Sequence, residues 1–277
     1  MTQSFSRIFV RGETSFGFWN TATKFVAVIN SFTVLASLTL FQFGLYQVLL
    51  ASVSLASILL FGGLDGVVFN DVIRFAHEGE KEKSKTLFSE YAVFKSITGI
   101  LLSLIVFMIG VWTSRNYDHD IGVLAQILSS IVFLDGALAV VQVFLRSKLR
   151  FSLIAMQGFI QETVKLLLLM TFLLTVGITT RSVIVAHTAS MAALFFYLLL
   201  ICGNALRREL GALSSKLSVL WKVIRTYGKW AIARSAAKDF GTKINPWLIK
   251  IFISTEAVSL FSLAHGLIDL SHSFFPG

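Results

Sequence analysis

Charge is scarce in this chain. Asp, Glu, Lys and Arg together supply 14% of its 277 residues, where a soluble domain carries roughly a quarter. With 55% hydrophobic residues and a mean hydropathy of +0.78, the chain is not an ordinary soluble globule. Cysteine is almost missing: the single Cys202 excludes a disulfide framework and a thiolate cluster. Proline occurs twice, which leaves long helices uninterrupted. There is no G-x-x-x-x-G-K-[ST] phosphate loop, so the chain has no ATP motor of its own. The five histidines are dispersed, and Asp118-His119-Asp120 reads as a polar loop tip rather than a metal site. No nucleophile–base pattern is visible. The expectation is a protein that is not an enzyme, with no catalytic residue, no cofactor and no metal. The N-terminus has Arg7 and Arg11 but neither the short apolar core nor the small-residue cleavage site of a signal peptide, so an uncleaved first helix is expected.

What the chain does have is apolar length. Its hydrophobic runs reach about 20 residues, the length of a membrane-crossing helix rather than of a barrel strand. The expected fold is an all-α polytopic membrane protein of about eight spans: 14–36, 44–62, 87–112, 121–145, 151–177, 182–203, 227–252 and 257–275. Between spans two and three, residues 65–75 suggest an interfacial helix and residues 77–85 a solvated charge run. The loops on one side hold fifteen basic residues: Arg7, Arg11, Arg74, Lys81, Lys83, Lys85, Arg146, Lys148, Arg150, Arg207, Arg208, Lys216, Lys222, Arg225 and Lys229. The other side holds two, Arg115 and Arg181. This asymmetry predicts a cytoplasmic N-terminus. It also explains the net charge of +9 by anionic headgroups and the insertion machinery, with no nucleic acid as partner.

A faint internal repeat runs at an offset of 215 residues. The uncharged link expected after helix one, at Ser37 to Phe43, leads into Phe43-Gly44-Leu45-Tyr46. Its counterpart is Val258-Ser259-Leu260-Phe261, and at the same offset Asn30 falls on Asn245 and Lys24 on Asp239. An even number of intervening helices gives both copies one orientation, a parallel repeat. The expected division is a six-helix N-terminal lobe at 1–210 and the start of a second lobe at 211–277.

Ionisable residues lie within the spans. An ammonium inside an apolar helix costs about 2.5–3.5 kcal/mol on insertion and marks a functional-site hypothesis. At about 1.5 Å of rise per residue, Lys24, Lys95, Asp135 and Glu162 all fall near one depth, about 15 Å in. Each also has a structural reading. Lys24 can snorkel to the headgroups, Glu162 can neutralise Lys165 one turn on, and Lys95 with Glu90 can mark a later helix start. Asp135 has no local partner, so it is protonated or paired with a lysine of another helix. On helix one, Gly17, Asn20, Thr21, Lys24, Ala27 and Ser31 form one small or polar stripe, which lines a cavity or packs on a neighbour. Helix seven carries Arg234, Lys238, Asp239, Thr242, Lys243 and Asn245, too polar to face lipid along its length; Asp239 and Lys243 can pair, and Pro246 is expected to kink it.

Several features then coincide: the basic N-terminus, the polar-striped first helix, Phe43-Gly44-Leu45-Tyr46, and a serine-rich second helix ending in Phe61-Gly62-Gly63-Leu64-Asp65-Gly66. An amphipathic run to Arg74 follows, and later Thr255-Glu256-Ala257-Val258-Ser259-Leu260-Phe261. This order resembles the polysaccharide flippases, the O-antigen (Wzx-type) branch of the multidrug/oligosaccharidyl-lipid/polysaccharide exporter superfamily. The resemblance implies two six-helix lobes around a cavity that opens alternately to either side of the cell inner membrane. It implies a cargo of oligosaccharide on polyprenyl pyrophosphate, destined for lipopolysaccharide or another surface polysaccharide. The partners it implies are lipid-linked oligosaccharide, membrane lipids, a polysaccharide polymerase and a chain-length regulator. Lys24, Lys95, Arg234 and Lys238 are then expected at the pyrophosphate, and Asn20, Thr21, Ser31 and Asn245 at sugar hydroxyls. Asp135, Asp239 and Glu162 are the ion-coupling candidates. Members have about twelve to fourteen helices, so a chain ending near the eighth is expected to be a truncated form. The alternatives are a non-transporting subunit or inactive remnant of a glycan-synthesis complex, and a cation-coupled multidrug exporter of the same superfamily.

Overall fold

Two residues, Leu38 and Thr39, separate the first two helices, and their chemistry sets where the second begins. In the computed structural model, which describes residues 2–210 and 217–274, Gln42 N–H donates to Thr39 Oγ1 at 3.2 Å, and Thr39 N–H donates to Gln42 Oε1 at 3.1 Å. This reciprocal cap satisfies two backbone donors that a helix start leaves open. Helix α1 therefore runs Thr2–Ser37 and α2 runs Leu40–Ile58. The expected link at Ser37 to Phe43 is shortened: residues 40–43 lie inside α2 together with Gly44-Leu45-Tyr46, because the cap starts the helix ahead of them. The remaining helices are α3 (Gly63–His77), α4 (Lys81–Asn116), α5 (His119–Ser147), α6 (Phe151–Thr175) and α7 (Thr180–Leu210). After α8 (Ser218–Val223) comes a π-helical turn at Ile224–Gly228, then α9 (Lys229–Lys243), α10 (Asn245–Phe252) and α11 (Thr255–Phe274). No strand occurs among the described residues. Lys216, counted with the basic loops, lies outside them.

Among the described residues five helices, α2, α4, α5, α6 and α7, are long and apolar enough to cross a membrane. The expected first span falls within α1, which carries the polar stripe and Lys24. The expected seventh is divided: α9 stops at Lys243, and α10 starts with Pro246 in its first turn, where a missing N–H is harmless. The expected eighth lies in α11, whose apolar stretch is Thr255–Ile268. The expected solvated run at 77–85 is largely the exposed first turn of α4, held by Lys83–Glu80 and Lys85–Glu82 pairs.

The chain forms two compact units. The first comprises Met1–Ser52, Phe151–Ala193 and Ile244–Gly277. Here α1 packs along α6 and α10 packs on α11. Gly44 of α2 approaches α11 closely: a Cβ at Gly44 would lie 2.0 Å from the Thr255 carbonyl oxygen. Ser259 Oγ donates to the Leu40 carbonyl beside it, and Trp247 Nε1 donates to Ser52 Oγ at 3.2 Å. A backbone oxygen cannot be displaced as a flexible side chain can. Gly44→Ala is therefore expected to cost about 1–3 kcal/mol by overpacking. Gly203→Ala in α7, where a Cβ meets nothing within 4 Å, is expected to leave the melting temperature in detergent unchanged or slightly raised.

The second unit comprises Val53–Arg150 and Leu194–Lys243. Its centre is the α4–α5 pair, with α3 packed on both. Small residues let the two backbones approach: a Cβ at Gly122 would lie 2.3 Å from Ser114 N, and one at Gly110 would lie 2.9 Å from Gln126 N. Packing of this kind is how helices associate where no hydrophobic effect drives them together. The stretch expected as an interfacial helix is α3, and its Leu64, Val68, Val72 and Phe75 are buried in this unit. Helix α8 is tied to α4 by Glu90, a fully buried carboxylate whose Oε2 accepts from Leu220 N–H at 2.6 Å.

Candidate functional site

In the first unit, α1 meets α6 through Trp19, Thr23 and Asn30. The Trp19 and Phe159 rings lie 5.1 Å apart, and Gly158 sits against the Thr23 side chain. Asn30 is 1% exposed; its Nδ2 donates to Glu162 Oε2 at 2.7 Å and to the Glu162 carbonyl at 2.9 Å. Phe18, Phe25 and Phe32 are all more than 60% exposed. At 3.6 residues per turn, the α6-facing residues, the stripe through Lys24, and these phenylalanines occupy three successive faces, each about 100° from the next.

The polar stripe therefore does not serve the contact with α6. Asn20, Thr21 and Ser31 are exposed, and Lys24 is half-buried. Thr21 Oγ1 donates to the Gly17 carbonyl at 3.0 Å and Ser31 Oγ to the Ala27 carbonyl at 2.9 Å. These back-bonds occupy the hydroxyl protons and leave the oxygens as acceptors. Lys24 has no ion pair among the described residues.

Glu162 of α6 lies against the Asn30 face of α1. Lys165 Nζ lies 3.9 Å from Glu162 Oε2, so the expected local pair exists. Its closer partner is Asn30 of α1, a contact that reading α6 alone could not disclose. Asn30 Oδ1 is buried and accepts no hydrogen bond among the described residues.

In the second unit, Lys95 and Glu90 do not mark a late helix start, because both lie well inside α4. Lys95 is 1% exposed. Its ammonium pairs with Asp65 Oδ1 at 2.6 Å and donates to the Leu60 carbonyl at 2.7 Å. Tyr91 OH donates to the same Asp65 oxygen at 2.9 Å. The lysine pairing expected for Asp135 is corrected: its Oδ2 accepts from Ser57 Oγ at 2.9 Å, and Lys95 is taken by Asp65. Sequence reasoning missed Asp65, Tyr91 and Ser57 as partners. The one signal was that Tyr91 precedes Lys95 by four residues and so shares its helical face.

Helix α9 packs on α3 with one face. Gly63 makes this possible, since a Cβ there would lie 2.2 Å from the Ala231 carbonyl oxygen. Arg234 and Lys238 are exposed on α9. Ser235 Oγ donates to Asp239 Oδ2 at 3.1 Å. No ion pair joins Asp239 to Lys243 among the described residues. Asn245, half-buried, belongs to the first unit at the start of α10.

Long apolar helices with ionisable groups held inside their bundles define a multi-pass α-helical membrane protein. The chain matches the polysaccharide biosynthesis protein family over residues 9–275 and belongs to it. This is the family of the Wzx-type polysaccharide flippases, whose members are transporters rather than enzymes and act on lipid-linked polysaccharide. Neither a curated protein nor a solved structure matches the chain.

Proposed function

We propose that this chain translocates oligosaccharide carried on polyprenyl pyrophosphate across the cell inner membrane, by alternating access and with its N-terminus cytoplasmic. The observation that carries this reading is the stripe on α1. A cation without an ion pair among the described residues, flanked by exposed Asn20, Thr21 and Ser31, lies on the face that α6 leaves uncovered. A pyrophosphate needs cations at depth, and a glycan needs amide and hydroxyl partners. Lys24 takes the first role and its neighbours the second. Arg234 and Lys238 on α9 supply further exposed cations, and Asn245 at the start of α10 supplies an amide. Lys95 contributes only if the Asp65 pair opens. Glu162, Asp135 and Asp239 are the groups able to carry a coupling proton or ion.

The parallel repeat, with lobes at 1–210 and 211–277, gains support from the helix ends. At the 215-residue offset, the end of α1 at Ser37 corresponds to the end of α10 at Phe252, and α2 starting at Leu40 to α11 starting at Thr255. The caps correspond too: Thr39 Oγ1 accepts from Gln42 N–H, and Ser254 Oγ accepts from Ala257 N–H at 3.1 Å.

The test is reconstitution. The chain is placed in proteoliposomes with a fluorescent polyprenyl-pyrophosphate oligosaccharide, and outer-leaflet glycan is read by lectin capture. Lectin-accessible cargo is expected to rise beyond the half already facing outward. No gain over protein-free vesicles, with or without an imposed ion gradient, overturns the reading.

A further inference from the structure

The second unit holds a cleft of about 540 Å3 that the stripe on α1 and the cations of α9 do not line. It lies where the C-terminal end of α3, the first turns of α4, the last turn of α5 and the last turn of α7 converge. Lys81, Lys85 and Lys148 supply its positive side, Glu209 the one carboxylate among the described lining residues, and buried Phe144 part of its floor. Three ammonium groups face one carboxylate. Lys148 is paired to Glu209. Lys85 reaches Glu82 at 3.4 Å, but Glu82 is 90% exposed, and such a rim pair contributes little. Lys81 is exposed and has no ion pair among the described residues. The positive end of the α4 dipole adds to the same side. All three lysines belong to the set of loops that the charge bias assigns to the cytoplasm.

No arginine lines the cleft among the described residues. The planar fork that grips a carboxylate is therefore absent, and mobile ammonium groups converge instead. Lysine acts as a point charge with three rotatable donors, which suits a compact group of more than one negative charge. Basic pockets between helices at the cytoplasmic side are where phosphate-bearing headgroups bind. We propose that this cleft binds a phosphate monoester group, carried by an anionic lipid headgroup or by a soluble phosphate. Lys81 and Lys148 grip the oxygens, and Glu209 holds Lys148 until the phosphate displaces it. The proposal does not depend on the glycan-export reading.

The test uses the full chain in nanodiscs and two probes. In one arm, phosphatidylcholine discs are titrated with inorganic phosphate. In the other, phosphatidic acid replaces part of the phosphatidylcholine. Binding is read as the rise in melting temperature and as bound phosphatidate by native mass spectrometry. Two double variants are compared: Lys81→Gln with Lys148→Gln, and Lys222→Gln with Arg225→Gln, which removes the same charge away from the cleft. The cleft variant is expected to weaken binding at least about tenfold, and the control variant to match the wild type. An effect in the phosphatidate arm alone identifies a lipid headgroup, and one in the phosphate arm alone identifies a soluble phosphate; either supports the site. No binding in both arms, or equal weakening by the two double variants, overturns it. Should the cleft pair fail to fold, Lys81→Gln alone carries the same comparison, because that side chain is exposed and unpaired.

Discussion

Lys24→Ala is expected to abolish glycan export, and Lys24→Arg to retain most of it, in cells whose own flippase has been deleted and whose surface glycan is measured. The expectation rests on position and on partners. Lys24 is half-buried on the uncovered face of α1, between Asn20 and Thr21 on one side and Ser31 on the other. No carboxylate neutralises it among the described residues, so its charge is available to a pyrophosphate. A hydrogen bond to a charged group contributes about 1.5–3 kcal/mol, which corresponds to about a ten- to hundredfold loss of affinity when the cation is removed. Arginine keeps the charge and extends the reach. Unchanged export in the alanine variant would remove Lys24 from the site and leave it as a snorkelling residue. The stability of the bundle should hardly move, because α1 binds α6 through Trp19, Thr23 and Asn30 instead.

The opposite profile is expected at Lys95. Removing this side chain leaves Asp65 with Tyr91 as its partner among the described residues and takes away the ammonium that donates to the Leu60 carbonyl. Breaking a buried pair from one side costs about 3–5 kcal/mol. Lys95→Ala should therefore lower the melting temperature sharply and reduce the yield of folded protein. The double variant Lys95→Met with Asp65→Leu should recover much of the loss, because replacing both charges with apolar groups of similar size is often neutral. A Lys95→Ala protein of normal stability that fails only in export would instead place Lys95 at the cargo. Lys24 and Lys95 lie at similar depth in the sequence reading, yet the first is expected to affect transport and the second stability.

The sequence separated these two lysines poorly. Depth is a local quantity, set by counting residues from a helix end, and it was the same for both. What distinguishes them is the partner, and Lys95 finds its partner thirty residues away on α3. The same holds for Asp135, whose partner Ser57 is a neutral hydroxyl on α2. A search for opposite charges passes over such a residue. Glu162 was half legible: its pair with Lys165 follows from spacing along α6, while its shorter bond comes from Asn30 on α1. The start of the second helix was placed late for a different reason. Hydropathy does not register the Thr39–Gln42 cap that begins α2 at Leu40, and Gly44 lies inside that helix, where the Thr255 carbonyl approaches it.

By itself, the sequence determined the class of protein, the helical period, the order of the helices and the side on which basic loops gather. These follow from hydrophobicity and charge counted along the chain, because a bilayer leaves few ways to satisfy a backbone. The order of motifs also carried the family. Only the tertiary structure decided which buried charges are spoken for and which face of α1 is left open. It alone brought Lys81, Lys85 and Lys148 to one cleft from two helices. Those properties depend on groups far apart in the chain meeting within about 3 Å, the range of a hydrogen bond.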